Sequence, residues 1–295
     1  MSQLIGIDLG GTAIKLGRFD RQGQLLAERQ VPTPQPAMPG AVAVAIGEAV
    51  QQLDPDRLAP VVGIGLPGPM DAAARVARVC INLPGWQQVP LADWLEPALE
   101  RRVTLVNDGN AALVGEAWQG AARGYRDVLL LTLGTGVGGG VLLGGQLFTG
   151  HGGAAAEPGL IGVDPDGPPC NSGNRGSLEQ YCSIAGLARL SPLEPAELCR
   201  RADAGDPEAL AVWRTYGRWL GIGLSSLIYV LTPELVLVGG GLSAASRHFL
   251  PAVQAELEQR VQAESLGGLQ VRRAALGNGA GRLGAARLAL ERLLG

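Results

Sequence analysis

Two stretches of this chain follow one plan, and together they limit the folds open to it. Residues 4–15, LIGIDLGGTAIK, read as a short apolar strand with Asp8 near its end, a turn Gly10-Gly11-Thr12, and a second strand. At 128–143 the plan returns: a strand over 128–133, the turn Gly134-Thr135-Gly136, and a strand over 138–143. Glycines let backbone N–H groups approach an anion closely, and Thr12 adds a hydroxyl. Asp8 is placed to hold a Mg²⁺ through water. Either stretch alone is equally an ordinary hairpin with a polar turn. Repetition changes the reading to a duplicated α/β fold with a nucleotide between its halves and a boundary near residue 118.

The 295 residues are 46% hydrophobic, enough for one large or two moderate domains. The formal net charge of -3, with no basic run, argues against a nucleic-acid partner. Cys80, Cys170, Cys182 and Cys199 form no CxxC pair, so free thiols in a reducing cytoplasm are expected. No apolar run reaches the length of a membrane-spanning helix, and no signal-peptide pattern opens the chain.

Between the two turns, a third strand is expected over 25–31, a helix over 41–53 and a buried strand over 61–66 that ends in Gly65-Leu66-Pro67-Gly68-Pro69. Asn82-Leu83-Pro84-Gly85-Trp86 offers an amide and an indole that suit a polyhydroxylated ligand, although a plain turn with a packing Trp is the favoured reading. A strand over 103–106 runs into Asn107-Asp108-Gly109-Asn110 and a helix over 111–119. A carboxylate at such a junction lies at the C-terminal edge of a sheet, where ligands of α/β folds collect, and is a credible general base. Capping of the helix by Asp108 or Asn110 is the competing role.

Residues 148–182 form a long Gly- and Pro-rich stretch carrying His151, Glu157, Asp164, Asp166 and Glu179. Loops of that length inside a domain are usually functional. His151 reads as a solvated side chain. Helical sequence fills 206–231. A strand over 234–238 then meets Gly239-Gly240-Gly241 and a helix over 244–263. That glycine turn suits a nucleotide, or equally a close strand–helix packing. A last strand over 269–272 and a last helix over 281–294 complete the reading.

DLGGTAIK, VNDGNAA, LTLGTGVGGG, the AEPG to SLEQY loop and ELVLVGGGLS occur in the order found in ROK-family sugar kinases, which the chain resembles over essentially its whole length. That family belongs to the actin/Hsp70/hexokinase superfamily. The resemblance implies two ribonuclease-H-like α/β domains flanking a cleft, 1–117 and 118–280, with a C-terminal helix over 281–295 packing back on the first. With DLGGT starting at residue 8, the N-terminal DNA-binding domain of ROK repressors is not expected. The resemblance further implies ATP and Mg²⁺, a hexose substrate and a homodimer. Asp8, Gly10, Gly11, Thr12 and Lys15 correspond to the first phosphate motif, with Mg²⁺ near Asp8. Thr132, Gly134, Thr135 and Gly136 correspond to the second, and Gly239 and Gly240 to the adenosine motif. Asn82, Asn107, Asp108, Glu157 and Glu179 match sugar-contacting positions, and Asp108 matches the catalytic base.

Two departures stand out. Leu160 replaces the family histidine that contacts sugar and zinc, and the CxCGxxGC zinc motif reads Cys170-Asn171-Ser172-Gly173-Asn174-Arg175-Gly176-Ser177. One thiol cannot make a structural zinc site, so no zinc is expected. A missing imidazole costs on the order of 1–3 kcal/mol in sugar contacts and puts the identity of the hexose in question. A non-catalytic sugar or nucleotide sensor is the alternative that Leu160 motivates.

Overall fold

The computed structural model describes residues 3–80 and 83–294. The chain opens with strands β1 (Leu4–Leu9), β2 (Ala13–Phe19) and β3 (Leu25–Pro32), helix α1 (Pro39–Leu53) and strand β4 (Val61–Leu66). The short antiparallel pair β5 (Ala77–Val79) and β6 (Gln87–Val89) precedes α2 (Leu91–Leu99), β7 (Arg102–Asn107) and α3 (Asp108–Gln119). Next come β8 (Val128–Leu133), β9 (Val137–Leu143) and β10 (Gln146–Leu147). Helices α4 (Leu178–Cys182), α5 (Ile184–Ala188), α6 (Pro195–Asp203) and α7 (Pro207–Leu231) lead to β11 (Leu235–Gly239). Helices α8 (Ser246–Arg260) and α9 (Ala263–Leu266), strand β12 (Gln270–Arg273) and helix α10 (Ala280–Leu294) end the chain. Among the described residues, no helix is long and apolar enough to cross a membrane.

Two compact units result: Met1–Arg123 with Leu147–Ala156 and Asn278–Gly295, and Gly124–Gln146 with Glu157–Gly277. The division differs from the expected break at 117/118. The backbone N–H groups of Gly120 and Ala122 donate to the Glu116 carbonyl at 2.9 and 3.1 Å, so the turn after α3 stays with that helix. The Gly-rich stretch after β10 is itself divided, because 147–156 joins the first unit. There Gly153 lies so close to the Met70 carbonyl that a Cβ would crowd it.

The first unit holds a five-stranded sheet in the order β3-β2-β1-β4-β7. The hairpin strands β1, β2 and β3 are antiparallel, whereas β4 and β7 run parallel to β1. Ile5, Ile7, Ile14, Leu16, Val62 and Ile64 fill the core. Helix α10 lies on this sheet, and glycines make its seat. A Cβ on Gly6 would overlap the Arg282 carbonyl, one on Gly63 the Ala285 carbonyl, and one on Gly284 the Ala111 carbonyl of α3. The second unit repeats the plan in the order β10-β9-β8-β11-β12, with β11 parallel to β8 and β12 parallel to β11. Trp213 and Tyr216 of α7 pack on Phe249 of α8, and the Tyr216 hydroxyl donates to the Cys182 carbonyl at 2.7 Å.

Candidate active site

In the first unit the sheet register decides which side chains share an edge. Asp8 of β1 lies opposite Lys15 of β2 on one side and Gly65 of β4 on the other, and Gly65 lies opposite Val106 of β7. Asp8 and the Asn107-Asp108 pair therefore stand at the same C-terminal edge, two strands apart, or about 10 Å. Gly65 lies between them, where a Cβ would touch the Ile7 carbonyl at 3.4 Å and the Ala111 methyl at 3.6 Å.

The turn after β1 is held in shape by its neighbours. Gly10 N–H donates to the Ala13 carbonyl at 3.0 Å. Thr33 Oγ1 donates to the Gly10 carbonyl at 2.6 Å, and Gln35 Nε2 to the Gly11 carbonyl at 2.9 Å. With two of its carbonyls so engaged, and Gly11 and Thr12 exposed, the turn suits an anion. Burial pushes the Asp8 carboxyl up, against the pull of Lys15 and Arg282. A desolvated carboxylate of this kind gains most from a cation. Arg282, and Gly281, where a Cβ would touch the Asp8 carboxyl at 3.6 Å, were invisible to local sequence reasoning because they sit on α10.

At the β7–α3 junction the helix cap is Asn107, rather than Asp108 or Asn110. Its Oδ1 accepts from Asn110 N–H at 3.0 Å, so Asn107 caps α3. Its Nδ2 donates to the Gly68 carbonyl at 3.3 Å and ties down the loop after β4. The Asp108 carboxyl accepts from backbone only, from its neighbour Gly109 N–H at 2.8 Å and from its own N–H. The side chain opens to solvent at its tip, yet protein surrounds it closely. Burial therefore pushes its carboxyl up to about 6, and the charge of Asp8 adds to the rise. That value suits a general base, mostly ionised at neutral pH and still able to take a proton.

The second unit gathers its residues at the matching edge. Thr132 lies opposite Gly138 on one side and Gly239 on the other. The Gly134-Thr135-Gly136 turn is closed by Gly134 N–H on the Gly136 carbonyl at 3.0 Å. Glu179 of α4 accepts from Val137 N–H at 2.9 Å, directly beneath that turn, and a Cβ on Gly136 would crowd its carboxylate. Gly240 has φ +77 and presses on the Leu133 backbone, where any Cβ would collide. Its glycine thus has a packing reason whether or not a nucleotide binds. Glu157 precedes a single turn over Pro158–Leu160 that rests on β9, where a Cβ on Gly159 would overlap the Val137 carbonyl. Leu160 is partly exposed.

Asn82 lies outside the described residues. Trp86 is 1% exposed and donates to the Ala37 carbonyl at 2.8 Å, so the indole belongs to the core, as the packing reading expects. At the zinc-motif positions, the Ser172 hydroxyl donates to Cys170 Sγ at 3.3 Å and Ser177 is fully buried. Burial pushes the Cys170 thiol up, but the hydroxyls of Ser172 and Ser177 more than offset it. One thiol, two hydroxyls and an aliphatic side chain are a donor set that does not fit zinc. Backbone pairing supports the loop instead: Val163 N–H on the Gly176 carbonyl at 2.8 Å, Gly176 N–H on Pro168 at 2.8 Å, and Leu178 N–H on Ile161 at 2.9 Å. Among the described residues, Cys199, Asp203 and His248 also come within ligand distance of one another. There Arg247 donates to both Asp203 oxygens, so a guanidinium already holds the place a cation would take.

Two sheets of the 3-2-1-4-5 type, each with a Gly/Thr turn at its C-terminal edge, define the actin-like ATPase fold. The ROK family model matches residues 4–292, and the chain belongs to the ROK family, whose sugar-kinase fold it shares. It is 35% identical over 314 residues to the glucokinase of Thermotoga maritima, covering 99% of each chain. It is 35% identical over 307 residues to the N-acetyl-D-glucosamine kinase of Escherichia coli O9:H4, covering 97% of this chain and 98% of that one. Its structure matches that of a ROK family glucokinase from Streptomyces griseus in complex with glucose and AMPPNP, with a TM-score of 0.85 and 34% identity over 98% of this chain and all of the other.

Proposed function

We propose that this ROK sugar kinase transfers the terminal phosphoryl group of ATP to a hydroxyl of a hexose, with Asp108 as general base. The observation that carries the reading is the pair Asp8 and Asp108 at one sheet edge, both raised in pKa by burial. Asp108 takes the hydroxyl proton as the new O–P bond forms and the bond to ADP breaks. Asp8 would hold Mg²⁺, which would neutralise the charge on the phosphates, and Lys15 beside it balances charge. Gly10, Gly11 and Thr12 supply phosphate donors in the first unit. Thr132, Gly134, Thr135 and Gly136 supply them in the second, with Gly239 and Gly240 on the adenosine. Asn82, Asn107, Glu157 and Glu179 contact the sugar. Phosphoryl transfer asks chiefly for positioning and charge neutralisation, which these groups supply. The same reading carries a cytoplasmic homodimer.

The test is ADP release with Mg-ATP across glucose, mannose, fructose and N-acetylglucosamine. Turnover on at least one hexose is expected, and none on any would leave the sensor reading in its place. The pH profile is a second expectation. Because Asp108 must be ionised to act, kcat/KM should fall about tenfold per pH unit below a midpoint near 6. A limb near the ordinary carboxylate value would show that another group sets it.

A further inference from the structure

Two adjoining recesses in the first unit border the proposed kinase site at Asn107, which lines the smaller one, and otherwise use residues not assigned above. The larger, about 250 Å³, is walled by Arg75, Glu96, Arg102 and Arg292 among others. The smaller, about 90 Å³, shares Thr104 and Arg292 with it and reaches Asn107 and Asn110. Both exceed the roughly 30 Å³ that one water occupies in the liquid.

Charge in the larger recess is unevenly paired. Arg75 is taken up by Glu96 at 2.7 Å and Asp93 at 2.5 Å. Arg292 donates to the carbonyls of Ala73 at 2.9 Å and Ala72 at 3.3 Å, which fixes its guanidinium without neutralising it. Arg102 is exposed, and among the described residues it makes no ion pair. Glu96 also lines this recess and feels the charge of Arg102, but it is already bonded to Arg75, so Arg102 and Arg292 are left without a carboxylate in direct contact. Two such guanidinia on one concave surface suit a dianion, because the planar fork matches phosphate oxygens. Independent of charge, Asn110 is 4% exposed in the wall of the smaller recess, and its Oδ1 has no hydrogen-bond partner. A buried amide left unpaired calls for a guest that satisfies it.

We propose that the two recesses form one site for a small phosphate monoester with a hydroxylated body, the phosphate on Arg102 and Arg292 and the body toward Thr104 and Asn110. The placement gives the site a lever. Strand β7 begins at Arg102 on its rim and ends at Asn107, which caps α3 beside Asp108. Binding itself needs no catalysis, whereas any effect on turnover rests on the proposed kinase activity. The test therefore reads binding.

Calorimetric titration of the AMPPNP-saturated protein at physiological salt would use hexose 6-phosphate in one arm and inorganic phosphate in the other. A single saturable site is expected, tighter for the ester, and weakened about tenfold or more in both Arg102→Ala and Arg292→Gln. The Arg102 side chain makes no ion pair among the described residues and is exposed, with only a through-space pull on Glu96, so its truncation should change thermal unfolding little. Affinity unaltered in Arg102→Ala would place the ester elsewhere, including the nucleotide or sugar positions, and overturn the site. Equal binding of both probes would reduce it to an anion hole and overturn the role of Asn110. Absence of heat in either arm would overturn it altogether.

Discussion

An Asp108→Asn variant is expected to lose about 10²–10⁴-fold in kcat, with KM for sugar and ATP changed little. The amide keeps the shape and the donor from Gly109 N–H but cannot take the proton. The same variant should be the more stable protein at pH 7. The sign follows from the raised carboxyl. Unfolded, Asp108 ionises near 3.8, and folded near 6, so the folded state favours the protonated form. Stability is fully present below about 4 and is lost as pH rises to about 6. The tip of the side chain is solvated, which limits the effect to about 1 kcal/mol, or a few degrees in Tm. A drop in kcat with higher Tm at pH 7 and equal Tm near pH 4 marks a group held at a cost to the fold for the sake of chemistry. A drop in kcat accompanied by lower Tm at pH 7 would mark a merely structural residue.

The second large effect concerns the seat of α10. Gly63→Ala is expected to destabilise the protein by about 3 kcal/mol or more. The added methyl would overlap the Ala285 carbonyl, and a backbone atom in a packed helix cannot rotate away as a side chain can. Differential scanning calorimetry should show the first unit melting about 6–12 °C lower. Gly47→Ala on α1 is the control, since nothing lies within 4 Å of its would-be Cβ. A shift of under a degree in Gly63→Ala would mean that the helix slides on the sheet more freely than this packing implies.

Much of the fold can be read from the chain because strand and turn signals are local. The strand over 128–133 coincides with β8, and the helix over 206–231 with α7, whose cap Asp206 accepts from Glu208 and Ala209 N–H. The two Gly/Thr turns and the Asn107-Asp108 junction lie where the sequence puts them for the same reason. What stayed hidden depends on distant partners. Strands β5 and β6 are three residues each, within proline- and glycine-rich sequence, and their pairing supplies what propensity does not. Helices α4 and α5 likewise form inside or just beyond a stretch that reads as loop, with Ser183 Oγ accepting from Gly186 N–H to cap the second. The return of 147–156 to the first unit, the pull of Arg282 on Asp8 and the seating of Gly6 under α10 each join residues far apart in the chain. No window of sequence contains both sides of such a contact.

The position of α10 has a consequence for the order of assembly on the ribosome. Domains commonly fold as they emerge, the N-terminal one first. Here the first unit draws its closing helix from 278–295, so its sheet keeps an uncovered apolar face while all of the second unit is being synthesised. The later unit, by contrast, has every strand in hand once residue 277 is made. The part of the molecule made first is therefore the last to be finished. During that interval the waiting face is the segment most in need of a holding chaperone.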